Sequence, residues 1–139
     1  MKRIIIQNNN NINWSIYTAS YLHHLGVRYA CISPGARYLP PTFAFTEHSG
    51  LKCIRHADER SSAFFALGLA KSTQKPVVLI STSGTAPANF YPAIIEASLS
   101  RVALIILSAD RPAYLIGTGA NQTSNRRNLY GRHVCNFTD

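Results

Sequence analysis

Four short stretches hold most of the side chains in this sequence that could do chemistry: Ser33-Pro-Gly-Ala-Arg37, His56-Ala-Asp-Glu-Arg60, Ser81-Thr-Ser-Gly-Thr85 and Ser108-Ala-Asp-Arg-Pro112. Glu59 stands just ahead of a small face made by Ala63, Ala66 and Ala70. A carboxyl there either serves the helix start, where Asp58 caps and acids suit the dipole, or faces an apolar cleft that lets it share a proton. Thr82, Ser83, Gly84 and Thr85 form either an ordinary glycine turn or an oriented set of backbone N–H donors at a helix start. Arg37 and Arg111 offer two guanidinium forks, which suit planar carboxylates, so an anionic substrate with more than one such group is expected. Other chemistries lack their residues. The sequence has no GxxxxGK phosphate loop and no Gly-x-Ser-x-Gly nucleophile elbow. His23 and His24 have no partner at metalloprotease spacing and read as exposed helix histidines, so no metal site is expected.

The elements that must position these stretches follow from the apolar pattern. From Trp14 onward, Tyr17, Tyr21 and Leu25 recur at helical spacing, and Gly26 stands where a helix-ending glycine belongs. Asn8 to Asn11 read as a flexible entry whose last members, with Asn13, can cap that helix. Strands are expected over residues 28–33, 51–55, 77–81 and 102–108, and further helices over 41–48, 58–71 and 86–99. Pro92 removes a backbone donor inside the last of these and should kink it. Continuous apolar strands separated by helix-length segments call for parallel pairing through right-handed crossovers. The class is α/β, an open parallel sheet with helices on both faces. Ligands of such sheets bind beyond the carboxyl ends of the strands, and each of the four stretches follows a strand, so a shared binding edge is expected. Residues 117–123 are expected to open a further helix. Residues 136–139 bring no closing element, and the reading is one domain, 1–139, truncated at its C-terminal end.

Of the 139 residues, 46% are hydrophobic and 14% charged, a globular composition. Fourteen Lys and Arg against six Asp and Glu leave a formal charge of +8. The basic residues are scattered singly or in pairs such as Arg126 and Arg127, without the dense run of a nucleic-acid arm. Small anionic ligands, and no nucleic acid, are the expected partners. The apolar run Val102 to Leu107 is far shorter than the roughly 20 residues of a membrane span, and Ile4 to Ile6 is too short for a signal-peptide core. Cys31, Cys53 and Cys135 form an odd set without a CxxC pair, which reads as reduced thiols in a cytoplasmic protein.

Taken in chain order, Ser33-Pro-Gly-Ala-Arg37, Asp58-Glu-Arg-Ser61, Ala66-Leu-Gly-Leu-Ala-Lys71, Thr82-Ser-Gly-Thr-Ala86, Ala109-Asp-Arg-Pro112 and Gly119-Ala-Asn-Gln122 resemble the N-terminal domain of the 2-succinyl-5-enolpyruvyl-6-hydroxy-3-cyclohexene-1-carboxylate synthases of menaquinone biosynthesis. That resemblance implies the pyrimidine-binding domain of a thiamine-diphosphate enzyme. The implied parent decarboxylates 2-oxoglutarate and adds the succinyl-semialdehyde unit to isochorismate. Glu59 would bond the aminopyrimidine ring nitrogen and favour its imino tautomer, with Thr82, Ser83, Gly84 and Thr85 beside the ring. Arg37, Arg111, Asn121 and Gln122 would bind the carboxylates and hydroxyl of isochorismate. The resemblance further implies Mg2+ and a homo-oligomeric parent whose active site lies between two subunits. Two features depart from the family. Its usual SPGSRS string reads Ser-Pro-Gly-Ala36-Arg37-Tyr38 here, exchanging a hydroxyl for a methyl and a small residue for a ring. The GDG motif with a downstream Asn, which holds magnesium and diphosphate in that superfamily, is missing from the sequence. The chain alone is therefore expected to be inactive. Another thiamine-diphosphate decarboxylase or synthase domain, or a non-catalytic anion- or partner-binding domain of the same fold, stands as the alternative.

Overall fold

A computed structural model describes residues 10–135. The chain runs α1 (Asn10–His24), β1 (Tyr29–Ile32), α2 (Leu39–Glu47), β2 (Lys52–Arg55), α3 (Glu59–Thr73), β3 (Val77–Ser81), α4 (Tyr91–Leu99) and β4 (Leu104–Ser108). All strand pairs are parallel and the sheet order is β2-β1-β3-β4. The α/β reading with helices on both faces holds.

Alternation along β1 and β3 divides the core in two. Ala30, Ile32, Val78 and Ile80 pack with Ala19 of α1 and with Ala44 and Phe45 of α2. Their neighbours Cys31, Val77 and Leu79 face the other way, onto Ala63, Ala66 and Ala70 of α3 and Ala93 and Ile94 of α4. Val77, Val78, Leu79 and Ile80 are each 0% exposed, which is why β3 reads as an unbroken apolar run. Truncating Leu79 to Ala at such a site costs about 2–5 kcal/mol. The alanine stripe of α3 matters for position: without bulky side chains between them, helix and sheet approach closely, and Glu59 sits one turn above Ala63 on that same stripe.

Several local expectations are corrected. Residues 86–99 are not one kinked helix. A 3-10 turn, Pro87–Phe90, leads into α4, and Pro92 lies in the first turn of α4, where no intrahelical hydrogen bond is lost. Residues 117–123 form no helix, because Gly117, Gly119 and Gln122 take φ of 81°, 75° and 57°, the left-handed region. In α1 the recurring residues Trp14, Tyr17, Tyr21 and Leu25 are exposed, while Ser15 and Ala19 are buried. The helix already includes Asn10 and Asn11, so these two are helical rather than a flexible entry. The apolar Ile4 to Ile6, Asn8 and Asn9, and residues 136–139 lie outside the described residues. Among those described, no helix is long and apolar enough to cross a membrane.

Candidate functional site

The sheet order places its switch point between β1, which runs out to β2, and β3, which runs out to β4. Loops part there, and open α/β sheets use the resulting crevice for ligands. In this chain the two loops meet tightly. A Cβ on Gly35 would stand 2.3 Å from Cβ of Thr82, so only glycine fits. Thr82 is buried with Oγ1 unpartnered; Ser33, at the end of β1, is also buried with Oγ unpartnered.

On the β3–β4 side, the irregular segment after residue 116 folds back over the glycine turn. Gly84 takes φ of 76°, and a Cβ there would come within 3.1 Å of Gln122 Cα. Ser83 Oγ donates to Gln122 O at 3.0 Å, and Ser124 Oγ donates to Gly84 O at 2.9 Å. Arg111 Nη2 donates to Asn121 O. Arg126 pairs with Asp110 and donates to Ser108 Oγ, tying the same segment to the end of β4. Arg37 and Arg111 together line a cleft of about 530 Å³ with Asn11, Asp110 and Pro112. Arg37 is exposed, on a 3-10 turn Ala36–Tyr38 that follows β1.

Glu59 lies elsewhere along this edge, at the end of β2, with β1 between it and β3. The capping role that sequence alone offered to its stretch belongs to Asp58. One carboxylate oxygen of Asp58 accepts from Ser61 N at 2.8 Å and Ser61 Oγ at 3.0 Å, and these bonds hold its carboxyl below the usual range. Glu59 is half-buried and makes no hydrogen bond or ion pair among the described residues.

Most of the predicted residues fall into two groups that share Arg111. Arg37 with Arg111 share a cleft, while Arg111, Asn121, Ser83, Gly84 and Gln122 are joined by contacts. Thr82 belongs to the crevice with Gly35, and Thr85 is exposed, its carbonyl accepting from Ala88 N at 3.0 Å. The structure does not join Glu59 to either group. Asn121 and Gln122 contribute carbonyls to the fold, and both residues are exposed. Sequence reasoning missed Arg126, Ser124 and Asn11, which hold or line the site. The segment of Ser124 and Arg126 carries no periodicity, and Asn11 reads in sequence only as part of the entry to α1.

Other candidates fall away. Tyr38 packs against the α1/α2 core, so the family departure there serves packing. His23 is not an exposed helix histidine: its ring stands 4.8 Å from that of His48, at the end of the sheet opposite the cleft. No group of three or more His, Cys, Asp or Glu among the described residues could hold a metal. The three thiols are free, and burial pushes that of Cys31 up to about 12.

Residues 12–129 match the family described as thiamine pyrophosphate enzyme, N-terminal TPP binding domain. The chain belongs to that family. Among relatives of this N-terminal TPP-binding domain, a protein of Trichodesmium erythraeum is 53% identical over 88% of this chain and 21% of its own length. Others from Geobacillus thermodenitrificans and Haloarcula marismortui are 50% and 49% identical, each over 94% of this chain and 22% of their own length. All three are named 2-succinyl-5-enolpyruvyl-6-hydroxy-3-cyclohexene-1-carboxylate synthase. The chain spans about a fifth of the length of these relatives.

Proposed function

We propose that this chain is the pyrimidine-binding part of a thiamine-diphosphate-dependent synthase that decarboxylates 2-oxoglutarate and adds the succinyl-semialdehyde unit to isochorismate. The observation that carries the reading is the pairing of Arg37 and Arg111 across one cleft, at the same sheet edge that bears the unengaged carboxylate of Glu59. The names of the relatives support it.

The residues fit the pyrimidine end of the cofactor. Glu59 is half-buried at a helix start, with no side chain competing for its oxygens among the described residues, as a group that must bond a ring nitrogen requires. When bound, thiamine diphosphate supplies the carbanion chemistry that 2-oxo-acid decarboxylation needs. Glu59 would hold the proton shared with the aminopyrimidine ring nitrogen. Thr82, Ser83, Gly84 and Thr85 would lie beside that ring. Arg37 and Arg111 take the carboxylates of the second substrate, and the exposed amides of Asn121 and Gln122 take its hydroxyl. Mg2+ and the diphosphate are held by another segment of the parent, which carries the motif this chain lacks. The chain is one domain of a cytoplasmic homo-oligomer, and the pyrimidine site closes against a partner subunit.

The full-length protein, given thiamine diphosphate, Mg2+, 2-oxoglutarate and isochorismate, should release carbon dioxide and form the coupled product. Carbon dioxide without coupled product would reject the synthase and keep the cofactor class. Neither would leave the non-catalytic alternative.

A further inference from the structure

Three buried polar atoms near the carboxyl ends of β1 and β2 and the first turn of α3 have no hydrogen-bond partner: Ser33 Oγ, His56 Nε2 and Ser62 Oγ. Ser33 and Ser62 are each 0% exposed. Register brings the first two side by side. Cys31 pairs with Ile54, and the ladder continues past both strands through His56 N to Ile32 O at 3.0 Å and Ser33 N to Ile80 O at 3.0 Å. Two residues beyond Cys31 and Ile54, which both lie in the α3 core, Ser33 and His56 therefore share the face that α3 covers. Ser62 comes down from above. It lies on the same flank of α3 as Phe65, three residues on, and the Phe65 ring stands 4.8 Å from that of His56. Glu59 is one turn before Ser62 and Ala63, on the same side.

We infer that Ser33, His56 and Ser62 hold one buried water and act through it as positioning residues for Glu59. Polar groups buried this deeply are normally satisfied, and an ordered water commonly joins about three of them. A water here ties the ends of β1 and β2 to the first turn of α3. It fixes the height and rotation of that turn, and so the place of the Glu59 carboxylate, without touching cofactor or substrate. Thr82, whose hydroxyl is also unpartnered, belongs to the Gly35 contact instead. The inference rests on the role proposed for Glu59.

The first test is a high-resolution crystal structure of the full-length protein. A water within hydrogen-bond reach of Ser33 Oγ, His56 Nε2 and Ser62 Oγ is expected. Direct bonds among the three, or a dry contact, would overturn the proposal. The second test is kinetic. His56→Leu and Ser62→Ala should each lower kcat roughly tenfold at nearly unchanged KM, because a misplaced group costs rate more than binding. His56→Gln, whose amide nitrogen reaches the same place, should recover most of the loss. Unchanged kcat in both His56→Leu and Ser62→Ala, with folding verified by circular dichroism, would also overturn it. The crystallographic arm does not depend on turnover. A water in place beside an active Glu59→Gln would reject the proposed role of Glu59 and keep the polar seat, whereas no water beside an inactive Glu59→Gln would do the reverse.

Discussion

At the β3–β4 end of the carboxyl edge, hydroxyls and guanidinia tie loop to loop: Ser83 to Gln122, Ser124 to Gly84, Arg111 to Asn121, Arg126 to Asp110 and Ser108. At the β2 end, the first turn of α3 is fastened by Asp58 to its own Ser61, and Glu59 beside it is engaged by nothing among the described residues. The first region resembles a built receptor, whose side chains spend their hydrogen bonds on shape. The second keeps a carboxylate whose oxygens have been left for something outside the fold. Asp58 already caps this helix start and the Glu59 carboxylate adds no bond to it among the described residues, so its place there points to use rather than to stability.

This contrast can be broken or sharpened by substitution. The largest effect is expected where the two halves of the edge touch. Gly35→Ala places a methyl 2.3 Å from Thr82 Cβ, so the loops after β1 and β3 must part. A loss of about 1–3 kcal/mol in urea denaturation is expected, as for an overfilled core. Arg126→Met removes a side chain that is 10% exposed and leaves Asp110, at 33%, without its ion pair. That variant should lose about 1–2 kcal/mol, below the cost of a fully buried pair because Asp110 reaches water. Hydrogen exchange should then quicken over residues 117–128 and stay unchanged in α3. Gly68 gives the opposite sign on α3: nothing lies within 4 Å of a Cβ built there. Gly68→Ala should therefore add about 0.5–1 kcal/mol by helix propensity, read from the same urea curves.

The smallest effect concerns pH at the open end. Asp58 has its carboxyl held below the usual range by its bonds from Ser61. The stabilisation it gives is complete above the ordinary carboxylate range and fades as pH falls through the lowered value. Asp58→Asn keeps an oxygen to cap the helix and should flatten that acid-side decline in a melting-temperature series. Asp58→Ala should lower the midpoint at neutral pH as well.

Much of the scaffold was legible because strand signals are local. Residues 77–81 are an apolar, β-branched run between a proline and a polar turn, and they form β3 with the same limits. The alternation of such runs with helices was enough for the parallel sheet, and the strand ends located the edge that carries Glu59, Arg37 and Arg111. What failed was set by single backbone angles or by contacts distant in sequence. Pro92 looked like a kink because nothing local says that a helix begins at Tyr91 rather than at Ala86. The helix expected over residues 117–123 is broken by positive φ at Gly117 and Gly119, while Gln122 further along comes over Gly84. The closures by Arg126 and Ser124 span 18 and 40 residues, beyond any spacing rule. Asp58 was legible as the cap, and the two bonds from Ser61 bear that out, whereas the sequence left open whether Glu59 serves the helix dipole or a ligand.

The measurement that bears most directly on the central claim is steady-state turnover of the full-length protein carrying Glu59→Gln. The change preserves size and replaces a titratable carboxyl with an amide that cannot share its proton with a ring nitrogen. A fall in kcat of at least about 100-fold is expected, with the melting temperature unchanged. Retention of most of the activity by a folded Glu59→Gln protein would contradict the assignment of Glu59 as the residue that activates the cofactor.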